Sequence, residues 1–554
     1  MLSHFFRKLR PQPTEPLMRV EANGQVWHLR LGVMDLIGAL PDLDGWESAG
    51  LSTLIKKNHQ RSIWRVALPS GTVYVKHCRA NTPRSWIREL LRPPKAQLEF
   101  ENALTLRSRG IGCTEPLAWG MTADQWPGDS FIITREQANA IPLDIFLEQP
   151  LSPQRRRRLA VAFGLFLAKL RRGTVFHPDA HPGNFLIEWA EAAEPQFYLL
   201  DVHAVQTTAP APYFRVETGP LQVDFNLLLL NRWFQMRATR TDRLRFYTSY
   251  CEGLDPLLIN MHALESETRR SNLAFWFSRL GRYRGNNREF RKIRGPGVRG
   301  HAVRDLPEDV LAEWIVNPDA VFQRTDARIL KDSPSSTVAV IKHPATSVQY
   351  VFKRFRRKSW FTGIKNRLRP SAAIRSWSYG QSLRDRGLPT ARPLAVLHRI
   401  RAGLPREGYL IFEFLADAVE LPFAIALATG VERWQLADTL GRLLRDVHDR
   451  GVSHRDLKAP NILIVAGRPV LIDLVGVGVG LTVTDTERIR NLARLNASFY
   501  HSNTVSRTDR LRLLRAYSSW SAQPPDDWKI FWRAIATQTL AKVEKNRQSG
   551  RVLA

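Results

Sequence analysis

Apolar and polar positions first alternate in short runs, then recur at helical spacing, and the whole order occurs twice along the chain. Residues 62–69 (SIWRVALP) and 72–78 (TVYVKHC) read as strands, as do 336–343 (STVAVIKH) and 348–355 (VQYVFKRF). A helix-compatible segment follows each pair, at 95–110 and 373–387. More strand comes at 129–134 (DSFIIT) and 408–415 (GYLIFEFL). Long helical stretches at 153–173 and 432–451 end on basic residues and glycine, a helix C-terminal signal. Strand, turn and strand come next, then helices. Strands early and helices late in each copy predict an α+β fold with a small β-rich lobe and a mostly helical lobe.

The repeat has a fixed offset of 277 residues. It relates Lys76 to Lys353, Gly110 to Gly387, His177 to His454, Asp179 to Asp456 and Asn184 to Asn461. Further on the register slips by about ten residues, yet NLLLLN (226–231) answers NLARLN (491–496), and RTDRLR recurs at 240–245 and 507–512. Such self-similarity predicts a duplicated domain. Gly and Pro in RGPGVRGHAVRDLPEDV (294–310) place the junction there. The expected organisation is a basic tail over 1–17, one domain over 18–295 and a second over 296–554.

The residues that recur are those that phosphoryl transfer from a nucleotide requires. A strand lysine grips phosphates, and a helical carboxylate orients it. An Asp takes the proton of the incoming hydroxyl. An Asn and a second Asp, both hard oxygen donors, hold magnesium. In the first copy these are Lys76, Glu99, Asp179, Asn184 and Asp201, with backbone near Glu136 expected to hold the adenine. In the second they are Lys353, Asp456, Asn461 and Asp473, with Glu413 matching Glu136 and Lys458 suited to a transferred phosphate. Ser376 stands where the first copy has Glu99, so the lysine of the second copy lacks its partner, and the first copy, which has every part, is the one expected to bind Mg-ATP.

The stretches HRDLKAPNILI and LIDL, with a lysine 101 residues before the His, resemble the protein-kinase-like fold. More narrowly, VYVKHCR, GIGCTEPLAWG, HPDAHPGNFLI and LLDVHAVQ in copy one are similar to the lipopolysaccharide core kinase family. So are GLPTARPLAVL, HRDLKAPNILI and RNLARLN in copy two. The resemblance covers roughly residues 50–250 and 325–520. It implies two tandem bilobal kinase-like domains that use ATP and Mg2+ to phosphorylate a Kdo or heptose hydroxyl at the cytoplasmic face of the inner membrane. Both copies depart from the wider pattern. The Gly-rich phosphate loop is replaced by KKNHQRSIW and KDSPSSTVAV, where Ser335, Ser336 and Thr337 are possible donors. Asp-Phe-Gly becomes DVH and DLV. Only about 18 residues separate Asp473 from NLARLN, and about 25 separate Asp201 from NLLLLN. That interval is short for a peptide platform, which favours a sugar hydroxyl over a protein acceptor.

Charge narrows the partners. With 81 Lys and Arg against 52 Asp and Glu, the formal charge is +29, which attracts a polyanion. An anionic glycolipid acceptor on an anionic membrane surface is expected, and no specific nucleic acid. The basic runs 155–158, 282–294 and 353–369 are the candidate contacts. Three cysteines offer neither a zinc motif nor a disulfide framework, which suggests a cytoplasmic setting. No apolar run is long enough to span a bilayer. Two other readings stay open: a protein Ser/Thr kinase, and a tandem kinase/pseudokinase that binds ATP as a regulator.

Overall fold

The computed structural model describes residues 16–549, apart from 38–39, 124, 126, 191–192, 208–212, 216–221, 253–259, 345–346, 357–369, 520 and 522–523. The chain divides into two compact units, Met1–Thr268 and Arg269–Ala554. Each carries a seven-stranded antiparallel sheet followed by a mostly helical region.

In the first unit the strands are β1 (Leu17–Ala22), β2 (Gln25–Arg30), β3 (Ser52–Lys57), β4 (Arg61–Leu68), β5 (Gly71–Cys78), β6 (Pro116–Thr122) and β7 (Ser130–Arg135). Their spatial order is β1-β2-β6-β7-β5-β4-β3. The second unit's seven strands, from Phe290–Gly295 to Leu404–Glu413, pair in the same order of chain positions. Lys76 therefore lies on an interior strand, opposite Ile63 on one side and Ile132 on the other. Lys353 lies likewise between Val338 and Leu410.

The first hairpin of each sheet was not among the strands expected. Its signal in copy one is Asn23-Gly24 between alternating runs. Both residues have positive φ, 51° and 68°, as a two-residue hairpin turn of this kind requires. In copy two the turn is Pro296-Gly297, between Phe290–Gly295 and Val298–Val303. The Gly-Pro-Gly stretch expected to mark the junction is thus a hairpin turn inside the second sheet. The division between units falls earlier, within the helix Met261–Ser278. Of the expected N-terminal tail, residues 1–15 lie outside the described residues, and Leu17 opens β1.

The repeated glycines have backbone reasons. Gly110 and Gly387 have φ of 69° and 63° just past the helices Lys95–Ser108 and Ala372–Asp385. There Ile111 N–H donates to the Leu106 carbonyl and Leu388 N–H to Leu383, which closes each helix. Gly164 and Gly441, again 277 apart, sit inside the long helices Pro153–Arg172 and Gly430–Asp449. These helices pack on Arg240–Tyr250 and Arg507–Ser518, the helices that the repeated RTDRLR begins. A Cβ at Gly164 would lie 2.4 Å from the Phe246 carbonyl oxygen, and one at Gly441 2.4 Å from that of Leu513. Lack of a side chain is what permits the approach.

Two effects of Gly441→Ala oppose each other. Helix propensity favours Ala by about 1 kcal/mol. Overpacking against backbone that cannot yield costs about 1–3 kcal/mol, and it acts on two helices at once. Net destabilisation of the second unit is expected, read as faster hydrogen exchange of the Gly430–Asp449 amides. Unchanged or slower exchange would show that the helices can part without cost.

Candidate active site

Each site is assembled where the sheet meets the loop that follows the long helix. In the first unit, Lys76 Nζ donates to Glu99 at 2.7 and 3.0 Å and to Asp201 Oδ1 at 2.8 Å. Glu99 comes from the helix Lys95–Ser108, whose buried face carries Leu98, Phe100 and Leu106 and fixes the helix against the sheet. Lys76 and Glu99 side chains are only 11% and 10% exposed. An ammonium held at that depth needs both carboxylates, since a buried unpaired charge is strongly destabilising. Burial pulls the Lys76 pKa down, but Glu99 and Asp201 outweigh it and hold the ammonium well above the ordinary lysine range.

The loop has the same construction in both units. His177 is buried, with its Nδ1 accepting from the Asp179 N–H at 3.2 Å and its Nε2 facing the Leu200 carbonyl at 3.0 Å. That assigns the proton to Nε2. Asn184, on the turn Pro182–Asn184, donates to the Asp179 carbonyl at 2.8 Å and to its carboxylate at 3.2 Å. In the second unit three of these four bonds recur, from the Asp456 N–H to His454 at 3.2 Å and from Asn461 to the Asp456 carbonyl and carboxylate at 2.8 and 3.4 Å. Two residues of the recurrent NLxxLN stretch take a part that spacing did not reveal. Asn226 Oδ1 accepts from the His177 N–H at 2.9 Å, and Asn491 Oδ1 from the His454 N–H at 2.6 Å. Both asparagines are buried and hold the loop from the helical side.

Asp201 and Asp473 share left-handed backbone, with φ of 55° and 54°. The conformation is uncommon for a non-glycine residue and turns each carboxylate back towards its strand lysine. Lys353 Nζ donates to Asp473 at 2.6 Å and lies 5.2 Å from the Phe355 ring centre. At the Glu99 position, the buried Ser376 hydroxyl has no hydrogen-bond partner among the described residues. Burial raises the Asp473 pKa, but Lys353 overcomes it and the net shift is downward.

A cleft of about 1250 Å³ opens in the second unit. Lys353, Glu413, Asp456, Lys458, Asn461 and Asp473 all line it, with Phe412, Phe414 and Leu415 as an apolar wall. Lys458 Nζ lies 3.6 Å from Asp456. Ser336 lines the cleft as well, whereas Thr337 donates to Asp332 and Ser335 sits in the turn between the two strands. The amides of Glu136 and Glu413 are spent on the carbonyls of Thr72 and Arg392. The Glu136 carboxylate is held by Arg65 at 2.7 and 2.9 Å. Neither amide is therefore free to donate to a base.

Two partners of Asp201 were not anticipated. Arg61 donates to Oδ2 at 2.9 Å, and His203 Nδ1 lies 2.8 Å from Oδ1. The basic runs also differ from one another. Arg155 and Arg158 lie over the Trp189 ring at 4.6 and 5.5 Å. In 282–294, Arg282 pairs with Glu289 and Arg291 with Glu308, so part of that run is neutralised within its own unit. Residues 357–369 lie outside the described residues. No helix among the described residues is long and apolar enough to cross a membrane, and the three cysteines are free and buried.

A strand lysine, an Asp–Asn loop and a left-handed Asp, set between a sheet and helices, define a protein-kinase-like site. The chain belongs to the lipopolysaccharide kinase (Kdo/WaaP) family, whose model matches it twice, over residues 57–250 and 330–517. It is 32% identical over 148 residues to a 3-deoxy-D-manno-octulosonic acid kinase of Xylella fastidiosa, covering 26% of this chain and 57% of that one. It is 39% identical over 119 residues to the enzyme of that name from Xanthomonas campestris pv. campestris, covering 21% and 46%. The lipopolysaccharide core heptose(I) kinase WaaP of Pseudomonas aeruginosa is 26% identical over 163 residues, with 28% and 59% covered. The chain thus spans about half the length of these relatives. Among solved structures, WaaP in complex with acyl carrier protein is 21% identical, covering 44% of this chain and 97% of that one, with a TM-score of 0.33.

The buried loop histidines make stability depend on pH. Burial lowers the pKa of His177 and His454, and of His398 and His448 to about 4 and about 3. Below the ordinary value of 6.5, the unfolded chain takes up protons that the folded rings refuse. Stability therefore falls as pH drops through 6.5, and these contributions stop falling at about 4 for His398 and about 3 for His448. Urea unfolding of the second unit should show a midpoint that falls from about pH 7 to about pH 4. A flat profile would mean the rings are already charged in the folded state.

Proposed function

We propose that the protein is an ATP-dependent phosphotransferase that phosphorylates a sugar hydroxyl of the lipopolysaccharide core, Kdo or heptose, at the cytoplasmic face of the inner membrane. The observation that carries the reading is the second unit's cleft, where an ammonium, a candidate base and two oxygen donors line one space large enough for a nucleotide. Family membership supports the reaction class. The short interval after Asp473 supports a small acceptor: the next long helix, Asp485–Ala497, begins 12 residues on, leaving no length for a peptide platform.

The chemistry assigned to this chain is as follows. Lys353 binds the α and β phosphates. Asp456 accepts the proton as the sugar oxygen bonds to the γ phosphorus and the bond to the β-phosphate oxygen breaks, leaving ADP. Lys458 neutralises the moving phosphoryl group. The donor set suits magnesium. Asn461 donates through its amide nitrogen to Asp456, which leaves its oxygen for a cation, and Asp473 adds a carboxylate. When bound, the metal would offset phosphate charge. An anionic acceptor fits the +29 charge and an open cleft of about 810 Å³ lined by five arginines against Asp319 and Glu407; Asp319 pairs with Arg354 and Arg399, and Arg401 and Arg406 add further positive charge.

The test is transfer from labelled ATP to purified core glycolipid, read by mass spectrometry as one added phosphoryl group. Asp456→Asn should lower the rate by about 10²- to 10⁴-fold with ATP binding largely kept. Labelling of Ser or Thr on protein alone, with none on glycolipid, would make the chain a protein kinase instead.

A further inference from the structure

Three of the differences between the two sites bear on the partners of the lysine and the left-handed aspartate. Arg61 lies opposite Cys78 in the first sheet, and Ser336 holds that place opposite Phe355 in the second. His203 follows Asp201 by two residues, as Val475 follows Asp473. Glu99 is replaced by Ser376. In consequence Asp201 accepts from Lys76 and His203 on Oδ1 and from Arg61 on Oδ2, at 2.8, 2.8 and 2.9 Å. Among the described residues, Asp473 has only the Lys353 bond, on Oδ1.

A carboxylate has about four acceptor sites, and Asp201 has committed three of them, two to the cationic Lys76 and Arg61 and one to the His203 ring. Lys76 and Arg61 already balance the charges of Glu99 and Asp201. Glu99, Asp201 and His203 do bring ligand atoms within 4.8 Å of one another, but the Lys76 ammonium bonds both carboxylates there. A divalent cation would have to displace Arg61 and sit beside the Lys76 ammonium. The first site therefore does not fit the metal that its sequence motif implies, and the second does.

We infer that Arg61 and His203 stand in the first copy where a metal ion would, so that only the second copy loads a magnesium–nucleotide. Arg61 is the residue that sets this difference. It lies beside the sheet hairpin at the place where a phosphate loop would lie, and its guanidinium reaches Asp201 at 2.9 Å. The first copy is then a permanently charge-balanced unit, and metal-dependent chemistry belongs to the second. This rests on the nucleotide-binding reading proposed above.

Calorimetric titration of the full chain with a non-hydrolysable ATP analogue, with Mg2+ or with EDTA, tests it. Wild type should bind one magnesium-dependent equivalent. Asp473→Asn should lose that dependence, weakening magnesium-supported binding by about tenfold or more. The double variant Arg61→Ser/His203→Val, which carries the second copy's residues, should gain a second magnesium-dependent equivalent. Two equivalents in wild type, or one retained in Asp473→Asn, would overturn the inference and leave the nucleotide reading intact. No magnesium-dependent binding by wild type would overturn both. Should the double variant not fold, the wild-type and Asp473→Asn titrations decide the matter.

Discussion

One ion pair in each unit ties the sheet to the loop that carries the chemistry. Lys76 reaches Asp201 across 125 residues of sequence, and Lys353 reaches Asp473 across 120. Both lysines lie on interior strands, where they cannot swing into water as an edge residue can. The ammonium has to be satisfied locally, and a carboxylate turned inward by left-handed backbone does so. Burial of the charge and the strained backbone are two halves of one arrangement.

The surroundings of this pair set the character of each site. A helical carboxylate, a guanidinium and an imidazole enclose it in the first unit, and the cluster is nearly self-sufficient in charge. In the second unit Ser376, Ser336 and Val475 stand in place of those three partners, and the aspartate faces an open cleft. One scaffold has thus produced a closed ionic cluster and an open site by exchanging three side chains. Loss of Glu99's counterpart, which by itself reads as decay of the second site, coincides with loss of the guanidinium and imidazole that fill the first.

Support for the pair comes from the helical side. Asn226 and Asn491 hold the histidine backbone, and each histidine in turn holds the amide of the Asp two residues on. The long helix before the loop is set by its glycine, which lets the neighbouring helix approach to backbone contact. A glycine, two helices, an asparagine and a histidine form a chain of contacts that fixes where the candidate base points. This is the positional precision that phosphoryl transfer demands, since its catalysis is mostly placement and electrostatics.

By itself the sequence determined the duplication, the strand–helix order of each copy and the residues of both loops. These are written in local periodicity and in a repeat at constant offset, which need no knowledge of contacts. The first hairpin of each sheet was not expected from the sequence: Asn23-Gly24 carries a turn signal, but a Gly-Pro-Gly run looks the same in a turn as in a linker. Only its pairing with Val298–Val303 separates the two. Tertiary structure alone decided what surrounds each lysine. Arg61 lies 140 residues from Asp201 and belongs to no recurring motif, and spacing carries no sign of a salt bridge between distant segments. The balance of charge in a buried site is a sum over groups from several elements, and folding has to bring them together before the sum exists.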